Sequence, residues 1–126
     1  MKARRVAPRD VLKRTWALET DGGRCQPIDY LEGVPVECRQ KMNSLLRYVD
    51  INGYHPRDTK YKVIEPGIVE FKVKVPRAIR VLAYKSSKGH VLIHGFDKGE
   101  GKIPAAVLTL VRKRIAEFEA GGADYE

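Results

Sequence analysis

Cysteine is scarce in this chain of 126 residues, and long apolar runs are absent. The two cysteines, Cys25 and Cys38, belong to no C-x-x-C motif and to no Cys/His cluster with the spacing of a zinc site. They predict reduced thiols, and their spacing leaves a single disulfide open as the alternative. The glycine-rich segment GFDKGEGK at 95–102 lacks the Lys-Ser/Thr ending of a nucleotide-binding loop. We therefore expect neither a metal nor a cofactor.

No stretch has the length of a membrane span, and the first residues lack the apolar segment of a secretory signal. We therefore expect a cytoplasmic protein with no membrane partner. Internal repeats and low-complexity tracts are also missing, and 126 residues fit one domain. The sequence predicts a single domain over 1–126, with a basic N-terminal arm over 1–13 and a frayed tail over 120–126.

Acidic residues are few, with 16 Asp and Glu compared with 24 Lys and Arg. The formal net charge is therefore +8. This balance favours a polyanionic partner, with nucleic acid ahead of a membrane surface and plain solubility as the alternative. The first 13 residues are rich in cations. They predict either a mobile tail or an electrostatic arm that adds sequence-independent affinity for a phosphate backbone.

The strongest pattern lies between residues 67 and 98, where β-branched and aromatic residues predict three strands. The strands are Ile68–Val75, Ile79–Lys85 and His90–Phe96. Short links join them, so we expect an antiparallel meander. Alternation turns Val69 and Phe71 to one face and the polar residues to the other. The sequence thus predicts an apolar face packed under helices and an open face that carries a row of cations.

The remaining periodic segments complete an α+β prediction. Alternation predicts a first strand over Arg14–Thr20. Apolar residues at helical spacing predict helices over Pro27–Leu31, Pro35–Val49 and Pro104–Glu119. The order is strand, helix, helix, three strands, helix, which is typical of an α+β domain with its helices largely against one sheet face.

A polar segment, Tyr54–Lys62, mixes aromatic residues with Arg57, Lys60 and Lys62. Such a mixture is typical of a single-stranded nucleic-acid contact that uses stacking and charge together. An ordinary connecting loop is the alternative. The segment therefore adds three candidate phosphate-binding cations to those of the predicted sheet.

Three segments carry a further signal: GIVEFK at 67–72, IRVL at 79–82, and LIHGFDK at 92–98, the last followed by KIP at 102–104. Together they resemble the RelE/ParE superfamily of toxins, and most closely its HigB-like branch, which includes phage-derived members. The likeness spans Arg14 to Phe118. It implies a RelE-like fold and a toxin of a type II toxin–antitoxin system.

The resemblance implies a metal-independent, ribosome-dependent mRNA endonuclease that is held inactive by a cognate antitoxin of helix-turn-helix type. Two alternatives stay open, namely a ParE-like topoisomerase poison and a catalytically degenerate phage-derived protein that only binds nucleic acid or a partner. By matched position the resemblance implies Lys72, Arg80 and Lys98 as the central cations, supported by Lys74 and Lys102. Lys72 replaces a common arginine, Asp97 replaces a common lysine, and a tyrosine of some relatives has no match in the sequence.

Cleavage of RNA without a metal needs a group that accepts the proton of the 2′-hydroxyl and cations that stabilise the charge on phosphorus. A lysine crowded by other cations or His94 fits the role of base. Simple alternation from His90 leaves open whether His94 faces the cations or the core. We expect His55 and His90 at the surface, and Glu70 in a salt bridge that orders Lys72 or Arg80, with a role as general base as the alternative.

Overall fold

The computed structural model of the protein describes residues 1–55 and 57–126, and over these residues it is α+β with six strands and three helices. The elements in chain order are β1 (Lys2–Arg5), β2 (Thr15–Glu19), α1 (Gln26–Gly33), α2 (Val36–Asn52), β3 (Lys62–Glu65), β4 (Ile68–Val73), β5 (Ile79–Ser86), β6 (Gly89–Asp97) and α3 (Ala105–Ala120).

The three helices lie within a few residues of their predicted positions. Proline supplies the starts, since Pro35 and Pro104 occupy the N-cap positions of α2 and α3 and Pro27 lies in the first turn of α1. Gly53 ends α2 at φ 71°, and its N–H donates to the Val49 carbonyl at 2.7 Å. These local signals explain why the helix predictions are confirmed.

The strands form one mixed sheet in the order β1-β2-β6-β5-β4-β3. The β4-β5-β6 meander is antiparallel, as predicted, whereas β2 pairs with β6 in parallel. The prediction of four strands is wrong, because β1 and β3 form the two edges of the sheet. Both have four residues. β1 (KARR) is rich in cations, as edge strands often are, and therefore looked like an arm, whereas β3 (KVIE) follows directly on the polar segment and looked like part of a loop.

The two termini hold each other in place. The Ala3 N–H donates to the Asp124 carbonyl at 2.7 Å, and the Glu126 N–H donates to the Ala3 carbonyl at 2.8 Å. The Tyr125 ring packs edge-on against Trp16, with 5.2 Å between ring centroids. The predictions of an N-terminal arm and a frayed tail are therefore wrong, because both ends pair with the sheet.

Helices cover both faces of the sheet, so the prediction of helices on one face is also wrong. Residues of α1 and α2 join a core with Phe71 and Val81, whereas α3 packs on the opposite face against Leu82 and Val91. In β5 and β6 successive residues are buried on both faces. We call the first face the α2 face and the second the α3 face.

A β-bulge sets which face each residue of β6 takes. Leu82 is opposite His94 but Ala83 is opposite Leu92, so Ile93 is the extra residue. Leu92 packs in the core on the α2 face, while Ile93 and Phe96 belong to the core on the α3 face. The prediction that one alternation runs from His90 to Phe96 is therefore wrong.

His90 is buried, with 1% of its surface exposed, so the prediction of a surface position is wrong. Its Nε2 lies 2.7 Å from Thr15 Oγ1, and its Nδ1 lies 2.8 Å from the Tyr54 hydroxyl. Because Thr15 donates its own proton to Asp50 Oδ2 at 2.7 Å, its oxygen accepts from His90 Nε2–H. A chain of hydrogen bonds therefore joins Tyr54, His90, Thr15 and Asp50.

Burial lowers the pKa of His90 from 6.5 to about 4, so the folded protein holds it neutral at pH 7. Since this pKa is lower in the folded than in the unfolded chain, the stability it contributes is present above pH 6.5. It is lost as the pH falls toward 4. We expect this group to remove up to about 3 kcal/mol from the free energy of unfolding across that window. Urea denaturation at intervals between pH 7 and pH 4 measures the slope.

His90→Gln should flatten that slope, whatever its effect on stability at pH 7. His55→Gln is the matched control, because His55 is exposed and its removal should leave the slope as in the wild type. An equal slope in the wild type and His90→Gln would contradict the assignment.

Candidate functional site

Arg80 lies at the centre of the predicted site. It is directly opposite Lys72 on the neighbouring strand, so the expectation that the two share one face is confirmed. Arg80 is not an open-face cation, however, because only 3% of its surface is exposed. Its Nη1 donates to Glu70 Oε2 at 3.1 Å, which confirms the predicted salt bridge of Glu70 and selects Arg80 as the partner.

The glycine-rich loop after β6 folds over the Arg80 guanidinium. Nη1 donates to the Gly101 carbonyl at 3.2 Å, and Nη2 donates to the Gly99 carbonyl. The loop therefore meets a cation with its carbonyl oxygens, whereas a phosphate-binding loop presents N–H groups. Arg80 Nε is buried and has no partner among the described residues.

Further cations surround this loop. A shallow cavity of about 240 Å³ is lined by Lys62, Lys102, Glu70 and Arg80, and Lys98 Nζ lies 3.9 Å from the point where a Cβ on Gly101 would stand. Glu70 is already paired with Arg80, so the lysines leave the cavity positive. We call these residues, with exposed Lys72, the cation cluster: Lys62, Lys72, Arg80, Lys98 and Lys102.

The other predicted phosphate contacts do not line this cavity. Lys60 Nζ lies 5.8 Å from the centroid of the Tyr48 ring of α2, which places it on the α2 face. Arg57 is exposed in the turn before it, and Lys74 is exposed in the link after β4. Only Lys62 of the polar segment joins the cation cluster, because it begins β3 opposite Glu70.

The aromatic residues of the polar segment pack inward. The Tyr54 and Tyr61 rings meet edge to face with centroids 4.8 Å apart, and Tyr61 lies 6.3 Å from Phe71. The Tyr61 hydroxyl donates to the His55 carbonyl at 2.8 Å. These contacts favour the interpretation of a connecting loop for the tyrosines over that of a base-stacking platform.

His94 lies on the α3 face because of the bulge. It is opposite Leu82, diagonal to Arg80, half-buried, and stacked on Phe96 with centroids 5.9 Å apart. Burial lowers its pKa below the usual 6.5, and the positive charge of Arg114 adds to the effect. At pH 7 His94 is therefore neutral and able to accept a proton.

Tyr30 lies beside the site, although no pattern in the sequence indicated that it would. Its hydroxyl donates to Asp97 Oδ1 at 2.5 Å, and Arg77 donates to the same carboxylate from Nε at 3.0 Å and Nη2 at 2.9 Å. Arg77 and then Tyr30 lower the pKa of Asp97, while burial and the bond to Asp97 raise the pKa of Tyr30. Arg77 therefore balances the charge of Asp97. Tyr30 is 67 residues from Asp97 in the sequence, so no local pattern indicated their contact.

Close contacts with α1 explain why position 95, in the segment LIHGFDK, is a glycine. Gln26 Nε2 donates to the Gly95 carbonyl at 2.7 Å, and the Gly95 N–H donates to Gln26 Oε1 at 2.8 Å. The Tyr30 ring lies directly over Gly95, since an added Cβ would come within 2.3 Å of Tyr30 Cδ2. This close approach anchors α1 to β6 and thereby positions Tyr30 beside Asp97.

The chemistry of the site is that of amines, a guanidinium and an imidazole. Over residues 1–55 and 57–126, no three His, Cys, Asp or Glu side chains gather as metal ligands would. In the same part of the chain no helix is both long and apolar enough to cross a membrane. The cation cluster can attract and hold an anion such as a phosphate, and neutral His94 can accept a proton beside it.

Fold and site together define a small basic α+β protein with a cationic pocket beside the last helix. The chain belongs to the family of Gp49-like phage-derived proteins (DUF891), whose model matches residues 29–116. This family is broadly toxin-like. The match runs from α1 into α3 and includes the whole cation cluster, while β1 and β2 precede it. No curated protein matches the sequence.

Proposed function

We propose that the protein is the toxin of a type II toxin–antitoxin system, in the HigB-like branch, and that it cleaves mRNA on the ribosome. The observation that supports the proposal is the cation cluster, three members of which line one shallow cavity while Lys98 and Lys72 lie next to residues of that lining. Membership of a broadly toxin-like family supports it further. A cavity of this charge suits the scissile phosphate of RNA.

In the proposed reaction the 2′-hydroxyl oxygen attacks the adjacent phosphorus and the bond to the 5′-oxygen breaks. The products are a 2′,3′-cyclic phosphate and a free 5′-hydroxyl. Neutral His94 accepts the 2′ proton, which is consistent with its lowered pKa. An ammonium of the cation cluster, that of Lys98 or Lys102, donates a proton to the leaving oxygen. Exposed Lys72 stabilises the charge that develops on the phosphoryl oxygens.

Arg80 has a different role in this proposal. Its guanidinium is committed to Glu70 and to two loop carbonyls, so it acts as a positioning residue for the loop that carries Lys98 and Lys102. Glu70 balances the charge of Arg80, so the net positive charge of the cavity comes from Lys62 and Lys102. Direct contact with phosphate therefore belongs to the lysines.

Lys72→Ala tests the proposal, because removal of one charge-stabilising group should lower the cleavage rate about 10²–10³-fold. The side chain is exposed, so the fold should be unaffected. The measurement is cleavage of mRNA in a purified translation system, followed by primer extension. Lys113→Ala removes an exposed lysine of α3 and is the matched control.

Equal cleavage by the wild type and Lys72→Ala would refute the role of Lys72. Growth arrest with a DNA-damage response and intact mRNA would point to a topoisomerase poison. The burial of Arg80 favours one further candidate, a protein that binds nucleic acid or a partner without cleavage. A wild type that binds RNA but leaves mRNA intact on translating ribosomes would support that candidate.

We also propose that a cognate antitoxin of helix-turn-helix type covers the cation cluster. An acidic segment with apolar anchors would complement the lysines of the cavity and the exposed Val63 of the edge strand β3. Co-purification with the product of an adjacent reading frame tests this directly. Failure of that product to bind, or to restore growth, would count against the pairing.

A further inference from the structure

A second cavity, of about 530 Å³, lies at the opposite end of the sheet from the cation cluster. It is bounded by the β5–β6 hairpin, by the end of α2, and by the residues that precede β2. The residues that matter for its chemistry are Arg14, Asp50, Tyr54, Lys85, Lys88 and His90. The proposed cleavage reaction uses none of them.

The acid in this cavity is committed to donors of the protein itself. Asp50 accepts from the N–H groups of Lys13 at 3.2 Å and Arg14 at 2.7 Å, and from Thr15 Oγ1 at 2.7 Å. Both ring nitrogens of His90 are likewise engaged within the protein. Arg14, Lys85 and Lys88 also line the cavity, so its lining carries more positive than negative charge.

Two of these cations are held in place by aromatic rings. Lys85 Nζ lies 5.3 Å from the centroid of Tyr54, which packs on the α2 face. Lys88 Nζ lies 4.5 Å from the centroid of Tyr125, which packs on the α3 face. Both distances fall in the range of cation–π contacts. The ammonium groups thus stand on the two sides of the hairpin, with less conformational freedom to lose when an anion binds.

We propose that this hairpin cavity binds a phosphate group of single-stranded RNA, as a second contact distant from the proposed cleavage site. Only the choice of RNA as the source of the phosphate rests on the proposed function. At a strand rise of about 3.3 Å per residue, Lys85 lies about 17 Å along β5 from Arg80, and Lys88 lies beyond it in the hairpin turn. Lys85 and Lys88 are exposed, and exposed cations along a groove are the groups that follow the backbone of a single strand, so the contact is with the phosphates and not with the bases.

The test is fluorescence-anisotropy titration of the full-length protein with a fluorescein-labelled oligouridylate decamer at about 50–200 mM salt. Lys85→Ala/Lys88→Ala should weaken binding about 10-fold or more at the lowest salt. It should also reduce the salt slope by about 0.7 for each phosphate that the protein no longer neutralises. Arg24→Ala/Lys113→Ala removes two exposed cations elsewhere and is the charge-matched control, expected to change affinity less than about 2-fold.

A third variant, Ser87→Trp, fills the mouth of the cavity without any change of charge, and should also weaken binding. The proposal would be overturned if both double variants lost the same amount of affinity for the decamer, or if Ser87→Trp kept the affinity of the wild type. If uridine monophosphate displaces the labelled decamer as well as unlabelled decamer does, the ligand is a free nucleotide and the assignment to RNA is overturned. Because the decamer is bound and not cleaved, an absence of activity on ribosomes leaves this result unaffected.

Discussion

Arg80→Ala should lower the free energy of unfolding by about 3–5 kcal/mol, since it removes one partner of a buried ion pair. Glu70 is only 3% exposed and would be left as an uncompensated charge. The loop after β6 would lose its anchor as well, because two of its carbonyls accept from the same guanidinium. Urea denaturation followed by circular dichroism measures the loss.

Glu70→Leu/Arg80→Met should restore most of that stability, because an apolar pair of similar volume avoids the unpaired charge. Lys72→Ala is the control on the neighbouring strand and should change stability by no more than about 0.5 kcal/mol. A loss below about 1 kcal/mol in Arg80→Ala would show that the pair contributes little. This stability measurement is also needed to interpret cleavage by Arg80→Ala, because part of any loss of cleavage in that variant comes from a loss of folded protein.

Gly89→Ala should destabilise the protein by about 2–6 kcal/mol. Gly89 has φ +149°, and a Cβ there would stand 2.1 Å from the Arg14 carbonyl oxygen and 2.9 Å from the Arg14 carbonyl carbon. Backbone strain costs about 1–3 kcal/mol, and the forced separation of packed atoms costs about 1–3 kcal/mol more. The clash falls where the His90 N–H donates to the same Arg14 oxygen at 3.0 Å, beside the parallel pairing of β2 with β6.

Gly99→Ala is the matched control for Gly89→Ala. Gly99 has no atom within 4 Å of an added Cβ, and its backbone is in the ordinary range of φ. We expect a change within about 0.5 kcal/mol, measured by thermal unfolding of both variants under the same conditions. If Gly89→Ala unfolds at the same temperature as the wild type, the close contact between the hairpin and Arg14 is disproved.

The sequence alone predicted the elements whose signals are local. Prolines at the helix starts and Gly53 at the end of α2 placed the helices, and the alternation from Val69 to Val73 placed β4 and the meander. Short links forced β4, β5 and β6 to pair as neighbours, which put Lys72 beside Arg80. These features depend on residues that are near one another in the chain, so periodicity and turn chemistry reveal them.

Features that depend on distant residues were not predictable in this way. The bulge at Ile93 moved His94 to the face of Arg80. A glycine inside a strand is compatible with a bulge, but Gly95 does not specify which residue is the extra one. β1 is held by β2 and by the last residues of the chain, so its four residues carry no strand pattern of their own. Tyr30 reaches Asp97 only because Gly95 lets α1 approach β6 closely.

By itself the sequence determined an α+β chain with a strong positive charge, an antiparallel meander and a set of candidate phosphate-binding cations. Only the tertiary structure decided which cations meet and in what state. It buried Arg80 against Glu70 and the loop carbonyls, turned Lys60 to the other face, and made His90 a neutral core residue. The physical reason is that charge and periodicity are properties of single segments, whereas burial and pairing arise where several segments pack together.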